Sequence, residues 1–373
     1  MPELFARWAR AVAGLLVVAA AVAPAAASGQ AAHNVVLVTL DGIRVQELFA
    51  GYDTIIAGAE KERHGIRSPA RLRADYWRAT PEDRRRALMP FFWDSLVPRG
   101  VLLGNPARGS LVSLANPHRF SAPGYQEILT GKYQPEVTSN APVRYSHRTI
   151  LELVREGLGL RRDEVVLFGS WANFAFYGAS DSAAVVLNAG FDTLPDPLST
   201  PTLSELGRLQ RWALPYWDEA RLDAFTGTLA LEYLRTYHPR LAYLAFNDTD
   251  DFSHSRRYDR VLDALHATDT FLRELWNTLE ADPAYRGRTT LIVTTDHGRG
   301  RRAVDWDDHG REVAGAEEIW VLLVGAGIPA QGEASGGPPA RQAQVAATVL
   351  RLLGLSETLL EPGAAPALAV VGR

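Results

Sequence analysis

Four aspartates and two histidines fall between Thr294 and Gly310, in the stretch TTDHGRGRRAVDWDDHG. The pairs Asp296-His297 and Asp308-His309 are built alike, and three arginines lie among them. Carboxylate and imidazole without thiolate form the donor set of a divalent cation, zinc first and manganese or iron after it. Asp, Gly and Arg also make ordinary solvated loops, so this stretch alone leaves both readings open. A second candidate is DDFSH, where Asp250 and His254 are four residues apart and one helical turn aims both at a single ion. A third is Asp41 in VVLVTLDG. Ser121 in RFSAPGY precedes the helix-like segment Gln126 to Thr130. A serine at a helix N-terminus faces free amide hydrogens and the positive end of the dipole, which favours an alkoxide and a bound phosphate. It can also be a plain helix cap.

What would position these groups is a set of short apolar runs. Val35 to Leu40, Val165 to Phe168, Leu241 to Phe246, Thr290 to Thr294 and Ile319 to Val324 do not alternate with polar residues. That is the pattern of strands buried on both faces, as in a parallel sheet. Amphipathic stretches of helical length separate them: His147 to Glu156, Asp218 to Tyr237, Arg257 to Leu279 and Arg341 to Leu353. The expected fold is α/β, a doubly wound, mostly parallel sheet with helices on both faces. Asp41, the Asn247 to Asp251 cluster and Asp296-His297 each directly follow an apolar run, so they gather at the carboxyl edge, where open α/β sheets build their sites. Acids so placed repel one another unless a cation sits between them, and two ions are the simplest solution. His309, a short loop after His297, can complete the set. Trp306 is expected to cover that return.

Two segments break the alternation, Tyr52 to Ser110 and Ser170 to Pro215, and both read as excursions that border the site. The arginines between Lys61 and Arg86 read as a solvated helix face, with Thr80 capping and Pro81 in the first turn. Gly332 to Pro339 reads as a turn-rich loop. His33, His64, His118, His147, His238 and His266 read as surface or packing histidines.

The 373 residues are 47% hydrophobic and 22% charged, enough for a large packed domain. A net charge of -4 argues against a nucleic-acid binder working through a basic face, but not against a small anionic substrate. With no cysteine, disulfides, thiolate zinc sites and thiol catalysis are excluded. Residues 1–27 read as a secretory signal: Arg7 and Arg10, the apolar run Ala11 to Ala23, then small residues. The run is shorter than the roughly 20 residues of a spanning helix. The expected location is periplasmic or secreted, with residues 28–373 forming one domain.

In their order, VVLVTLDG, RFSAPGYQEILTG, DDFSH, TTDHG and DDHG resemble the alkaline phosphatase superfamily, nearest its nucleotide pyrophosphatase/phosphodiesterase-like branch. The resemblance implies a two-metal hydrolase of phosphate monoesters or diesters. It implies that Asp250, His254 and His309 hold one ion, and that Asp41, Asp296 and His297 hold the other, which Ser121 shares as covalent nucleophile. Asp251 and Asp308 rank below their neighbours, and Asn140 stands where the family places a ligand of a phosphoryl oxygen. Departures exist. The phosphodiesterase branch has Thr-Phe-Pro-Asn where this chain has Ser121-Ala122-Pro123-Gly124. Sulfatases have an arginine where Tyr125 stands, and paired acids where Gly42 follows Asp41. A sulfate- or phosphonate-ester hydrolase on the same scaffold, and a non-catalytic envelope-binding protein, are the alternatives.

Overall fold

The computed structural model describes residues 32–59 and 68–371. The signal-like segment and His64 lie outside them. In chain order the strands are β1 (Asn34–Leu40), β2 (Gly100–Leu103), β3 (Val112–Ser113), β4 (Val165–Gly169), β5 (Val186–Ala189) and β6 (Leu241–Phe246). They continue with β7 (Thr289–Thr294), β8 (Glu318–Ile319), β9 (Val321–Gly325), β10 (Gly332–Glu333) and β11 (Ala340–Arg341). The main sheet has eight strands in the order β10-β2-β9-β7-β1-β6-β4-β5. From β7 to β5 it is parallel.

The unbroken apolar runs have a direct cause. Val36, Val38 and Leu40 of β1 enter the core on one face of the sheet. Val35 and Leu37 enter the core on the other. The first core is covered by helices Asp223–Tyr237 and Tyr258–Ala281, which contribute Leu234, Leu265 and Leu272. The second is covered by helices Ser121–Thr130, Ile150–Gly157 and Gln344–Leu352, through Ile128, Val154 and Val349. Each such leucine or valine contributes about 1.5–3 kcal/mol on burial. The doubly wound α/β architecture is therefore present, with one side of the sheet mixed. Among the described residues no helix is long and apolar enough to cross a membrane.

The differences from the sequence reading lie at the sheet margins. Ile319 to Val324 is two strands, not one. β8 joins a three-stranded sheet with β3 and β11, and β9 runs antiparallel to β7. Thr294 pairs with Val321, so the segment between them leaves and returns at the same edge. Without a crossover over a sheet face, the chain re-enters antiparallel. Tyr52 to Ser110 and Ser170 to Pro215 are not pure excursions, because each supplies a strand, β2 and β5, to the main sheet. Gly332 to Pro339 holds the short β10, paired with β2. Helix Asp223–Tyr237 starts later than its pattern suggested. The backbone of Ala220 pairs with Trp171 and Trp217 and keeps the chain extended there. Arg341 belongs to β11, so that last helix begins at Gln344. Thr80 caps helix Pro81–Leu88, its Oγ1 accepting from Asp83 N at 3.1 Å. Among the described arginines of that run, Arg85 alone is buried, over the Trp93 ring and onto Glu333.

Candidate metal centre

Three strand ends and two loops converge at the carboxyl edge. Asp41 follows β1, the helix Asp248–His254 follows β6, and Asp296-His297 follows β7. Asp41, Asp296 and His297 are fully buried. The His297 ring faces its Nδ1 to the Gly298 carbonyl at 2.9 Å, so a proton on Nδ1 leaves Nε2 as the ligand atom. That Nε2 lies 3.3 Å from Asp41 Oδ1, 3.5 Å from Asp296 Oδ2 and 3.4 Å from Ser121 Oγ. Asp250 Oδ2 is 3.1 Å from His254 Nε2, and Asp250 Oδ1 is 4.0 Å from His309 Nε2. The two Nε2 atoms of His254 and His309 are 3.0 Å apart. The groups touch, with His297 Nε2 3.8 Å from Asp250 Oδ1.

Tetrahedral ligands about 2.0–2.1 Å from one ion stand roughly 3.3–3.4 Å from each other. Several of these separations match that spacing. Asp41 Oδ1 and Asp296 Oδ2, both buried, accept no hydrogen bond among the described residues. Orphaned carboxylate oxygens are costly unless something positive lies between them. Burial, then the nearby Asp41, push the Asp296 carboxyl well up. Burial lowers His297, but Asp296 and Asp41 outweigh it and hold the ring up at about 9. His309 is driven far down by burial, then by His297 and Arg299. Buried carboxylates and imidazoles gathered in this way fit a divalent metal held between them.

Each ligand is held by a partner. The Tyr125 hydroxyl donates to Asp41 Oδ2 at 2.7 Å, and Gly42 N donates to Asp296 Oδ1 at 3.0 Å. In each case the other oxygen faces the centre. Gly42 has φ +63, and a Cβ there would lie 2.6 Å from Asp250 Oδ1. Arg299, fully buried, donates from Nε to the Gly42 carbonyl and from Nη2 to Asp250 Oδ1. Asp251 turns aside instead. Its Oδ1 accepts from Asn247 Nδ2 at 2.7 Å, and burial pushes its carboxyl up to about 8. Asp308 Oδ1 accepts from the His309 backbone N–H. Trp306 is buried on the Tyr258 ring.

Ser121 is the first residue of helix Ser121–Thr130, whose N-cap is Phe120. It therefore does not occupy the capping position. Gly124 lets the first helical turn abut the end of β7, since a Cβ there would meet the Asp296 carbonyl oxygen at 2.4 Å. Asn140 Oδ1 accepts from Ala122 N at 3.0 Å. Ser121 and Asn140 line a cleft of ≈ 450 Å³ together with Asp250, Asp251, His254, Asn247, Trp171, Trp217, Asp218, Glu219 and Ala220. The sequence reading missed Tyr125, Arg299 and the two tryptophans. Tyr125 carried a signal, being four residues past Ser121 and so on the same helical face. The others reach the cleft only through the tertiary fold.

The family model described as type I phosphodiesterase / nucleotide pyrophosphatase matches residues 46–313. The chain belongs to this family. It thereby joins the ester hydrolases of the alkaline phosphatase superfamily. The match takes in Ser121, Asp250, His254, Asp296, His297 and His309, with Asp41 just before it. Among solved structures, a variant of the alkaline phosphatase PafA is similar with a TM-score of 0.57 at 12% identity, covering 92% of this chain and 99% of that one. The lipoteichoic acid synthase LtaP from Listeria monocytogenes gives 0.53 at 13%, covering 90% and 74%. The phosphonate monoester hydrolase of Agrobacterium radiobacter gives 0.50 at 15%, covering 89% and 78%. At such identities the likeness is one of fold. No curated protein matches the chain.

Proposed function

We propose that this family member is a two-metal hydrolase of phosphate esters with Ser121 as its nucleophile. The observation that carries the reading is the position of Ser121 Oγ, 3.4 Å from His297 Nε2, beside the unpartnered oxygens of Asp41 and Asp296. Asp41, Asp296, His297 and Ser121 would hold one ion, and Asp250, His254 and His309 the other. The all-nitrogen-and-oxygen donor set favours zinc. When bound, the ions supply Lewis acidity, lowering the pKa of the serine hydroxyl and neutralising charge on the phosphoryl oxygens.

The chain's own groups do the rest. Ser121 Oγ gives up its proton to solvent and forms a bond to phosphorus as the bond to the leaving oxygen breaks, and the departing alkoxide takes a proton from water. Water then cleaves the Oγ–P bond and restores the hydroxyl. At the start of the Ser121 helix, Ala122 N donates to Asn140 Oδ1, Pro123 has no N–H and Gly124 N donates to the Phe120 carbonyl, so the Ser121 N–H is the helix amide left for the developing negative charge. Asn140, its Oδ1 fixed by Ala122 N, keeps its Nδ2 hydrogens for a phosphoryl oxygen. A purely binding role would leave Asp41 and Asp296 buried and unpaired for no gain. The basic start and Ala-rich end of residues 1–27 support export, with a mature N-terminus between Ala26 and His33.

Metal-reconstituted protein assayed on an aryl phosphate, a bis-aryl phosphate, a nucleotide and an aryl sulfate tests the reading. Turnover of a phosphate ester is expected. Turnover of the sulfate alone would favour a sulfate-ester hydrolase, and no turnover on any of the four would reject catalysis of this class.

A further inference from the structure

The cleft extends past Ser121 into a lobe of different character, formed by Trp171, Trp217, Asp218 and Glu219. Both indoles are held before any ligand arrives. Trp171 packs edge-on against Tyr177 at 5.6 Å, and its Nε1 donates to Glu219 Oε2 at 3.4 Å. Trp217 packs against Tyr216, which packs in turn on Phe252. The Ala220 backbone ties the two tryptophan segments together. Among the described residues no lysine or arginine lines the cleft, and four carboxylates do: Asp218, Glu219, Asp250 and Asp251. Asp250 and Asp251 belong to the metal end. Asp218 and Glu219 do not, and among the described residues neither stands in an ion pair with a basic side chain.

Two exposed, unpaired carboxylates beside a phosphate-processing centre are unfavourable for an anionic substrate, unless the substrate brings its own positive charge. They would repel a second phosphate group, so a nucleoside polyphosphate is a poor fit. A neutral polyol can stack on tryptophan but gains nothing from the negative field. An ammonium group gains twice, from the indole faces and from the carboxylates. We infer that this lobe selects phosphate esters whose organic arm carries an ammonium group. The inference rests on the proposed hydrolase activity for its placement of the phosphate, and it names the substrate class.

The test uses diesters that share a 4-nitrophenyl leaving group. One has a 2-(trimethylammonio)ethyl arm, one its uncharged carbon isostere, 3,3-dimethylbutyl, and one a 2,3-dihydroxypropyl arm. With metal-loaded protein, kcat/KM is expected to be about tenfold higher for the ammonium ester than for its isostere, the scale of a desolvated cation–π contact. That ratio should fall to about one in the Asp218→Asn/Glu219→Gln double variant, whose changes lie on exposed residues. Choline, but not 3,3-dimethylbutanol, should quench the tryptophan fluorescence of the substrate-free protein. Equal kcat/KM for the first two esters, a preference for the dihydroxypropyl arm, or a ratio untouched by the double variant would overturn the inference while leaving the hydrolase reading intact. Quenching specific to choline in a protein that cleaves none of the esters would leave the ammonium lobe standing and reject the hydrolase reading instead.

Discussion

The phenol of Tyr125 donates to Asp41 Oδ2 at 2.7 Å, and thereby turns Asp41 Oδ1 toward His297 and the centre. A group that orients a ligand in this way usually accounts for about 10–100-fold in metal affinity. Tyr125→Phe should therefore weaken metal binding by about that factor, read by titration against a competing chelator. The ring contact with Phe174, 4.6 Å between centroids, survives the change, so the fold should hold. Unchanged affinity would show that Asp41 needs no such support.

Metal removal should also cost stability. Burial and Asp41 both oppose ionisation of Asp296, and the neighbouring His297 and the Gly42 N–H offset them only in part. The purified protein should contain about two ions per chain, and chelation should lower its unfolding temperature as well as abolish activity. A protein fully active and equally stable without metal would contradict this.

Glu127 ties the Ser121 helix to its surroundings. Its buried carboxylate accepts from Ala115 N at 2.8 Å, from Asn116 N and Nδ2 at 3.0 and 2.9 Å, and from Ala343 N at 3.1 Å. In Glu127→Gln one oxygen becomes an NH2 that faces donors. The expected loss is about 2–3 kcal/mol in denaturant unfolding, the scale of charged hydrogen bonds left unmade. A loss well under 1 kcal/mol would show the loop and helix to be held by packing instead.

His147 gives a pH signature away from the centre. Its ring contacts Glu136 through Nε2 and Glu361 through Nδ1, the latter at 2.8 Å. Partial burial lowers its pKa, but the two carboxylates outweigh it and raise it above 6.5. The hydrogen bond from His147 holds Glu136 below 4.5. The histidine's contribution is full below 6.5 and is lost as pH rises through its raised value. The glutamate's is present above 4.5 and is lost as pH falls through its lowered value. The stability difference between wild type and His147→Gln should thus be largest between these limits and shrink toward alkaline pH. A difference that grows with pH would contradict the sign.

What the sequence made legible follows from burial. β1, β6 and β7 are sandwiched between two cores, so their apolar runs were unbroken, and the acids that follow them had to fall at one edge. The i, i+4 spacing of Asp250 and His254 was equally readable because it is local. Ile319 to Val324 misled because an apolar run carries no sign of strand direction, nor of the break at Trp320. β5 was missed because it is a short edge strand with Asn188 inside it. Arg299, Trp171 and Trp217 act through residues distant in sequence, and no local pattern announces such contacts. The arginine read as part of a solvated face, Arg85, is buried for the same reason, since its partners Trp93 and Glu333 meet it only in the folded chain.

The central claim is that Ser121 carries the phosphoryl group. Brief incubation at low pH with a labelled phosphate ester, followed by peptide mapping, tests it most directly. The account predicts label on the peptide containing Ser121, and none in Ser121→Ala. That variant should lose about 10³-fold or more in rate while keeping its metals, with residual hydrolysis by water. Label on another residue, or Ser121→Ala turning over substrate at close to the wild-type rate, would contradict it.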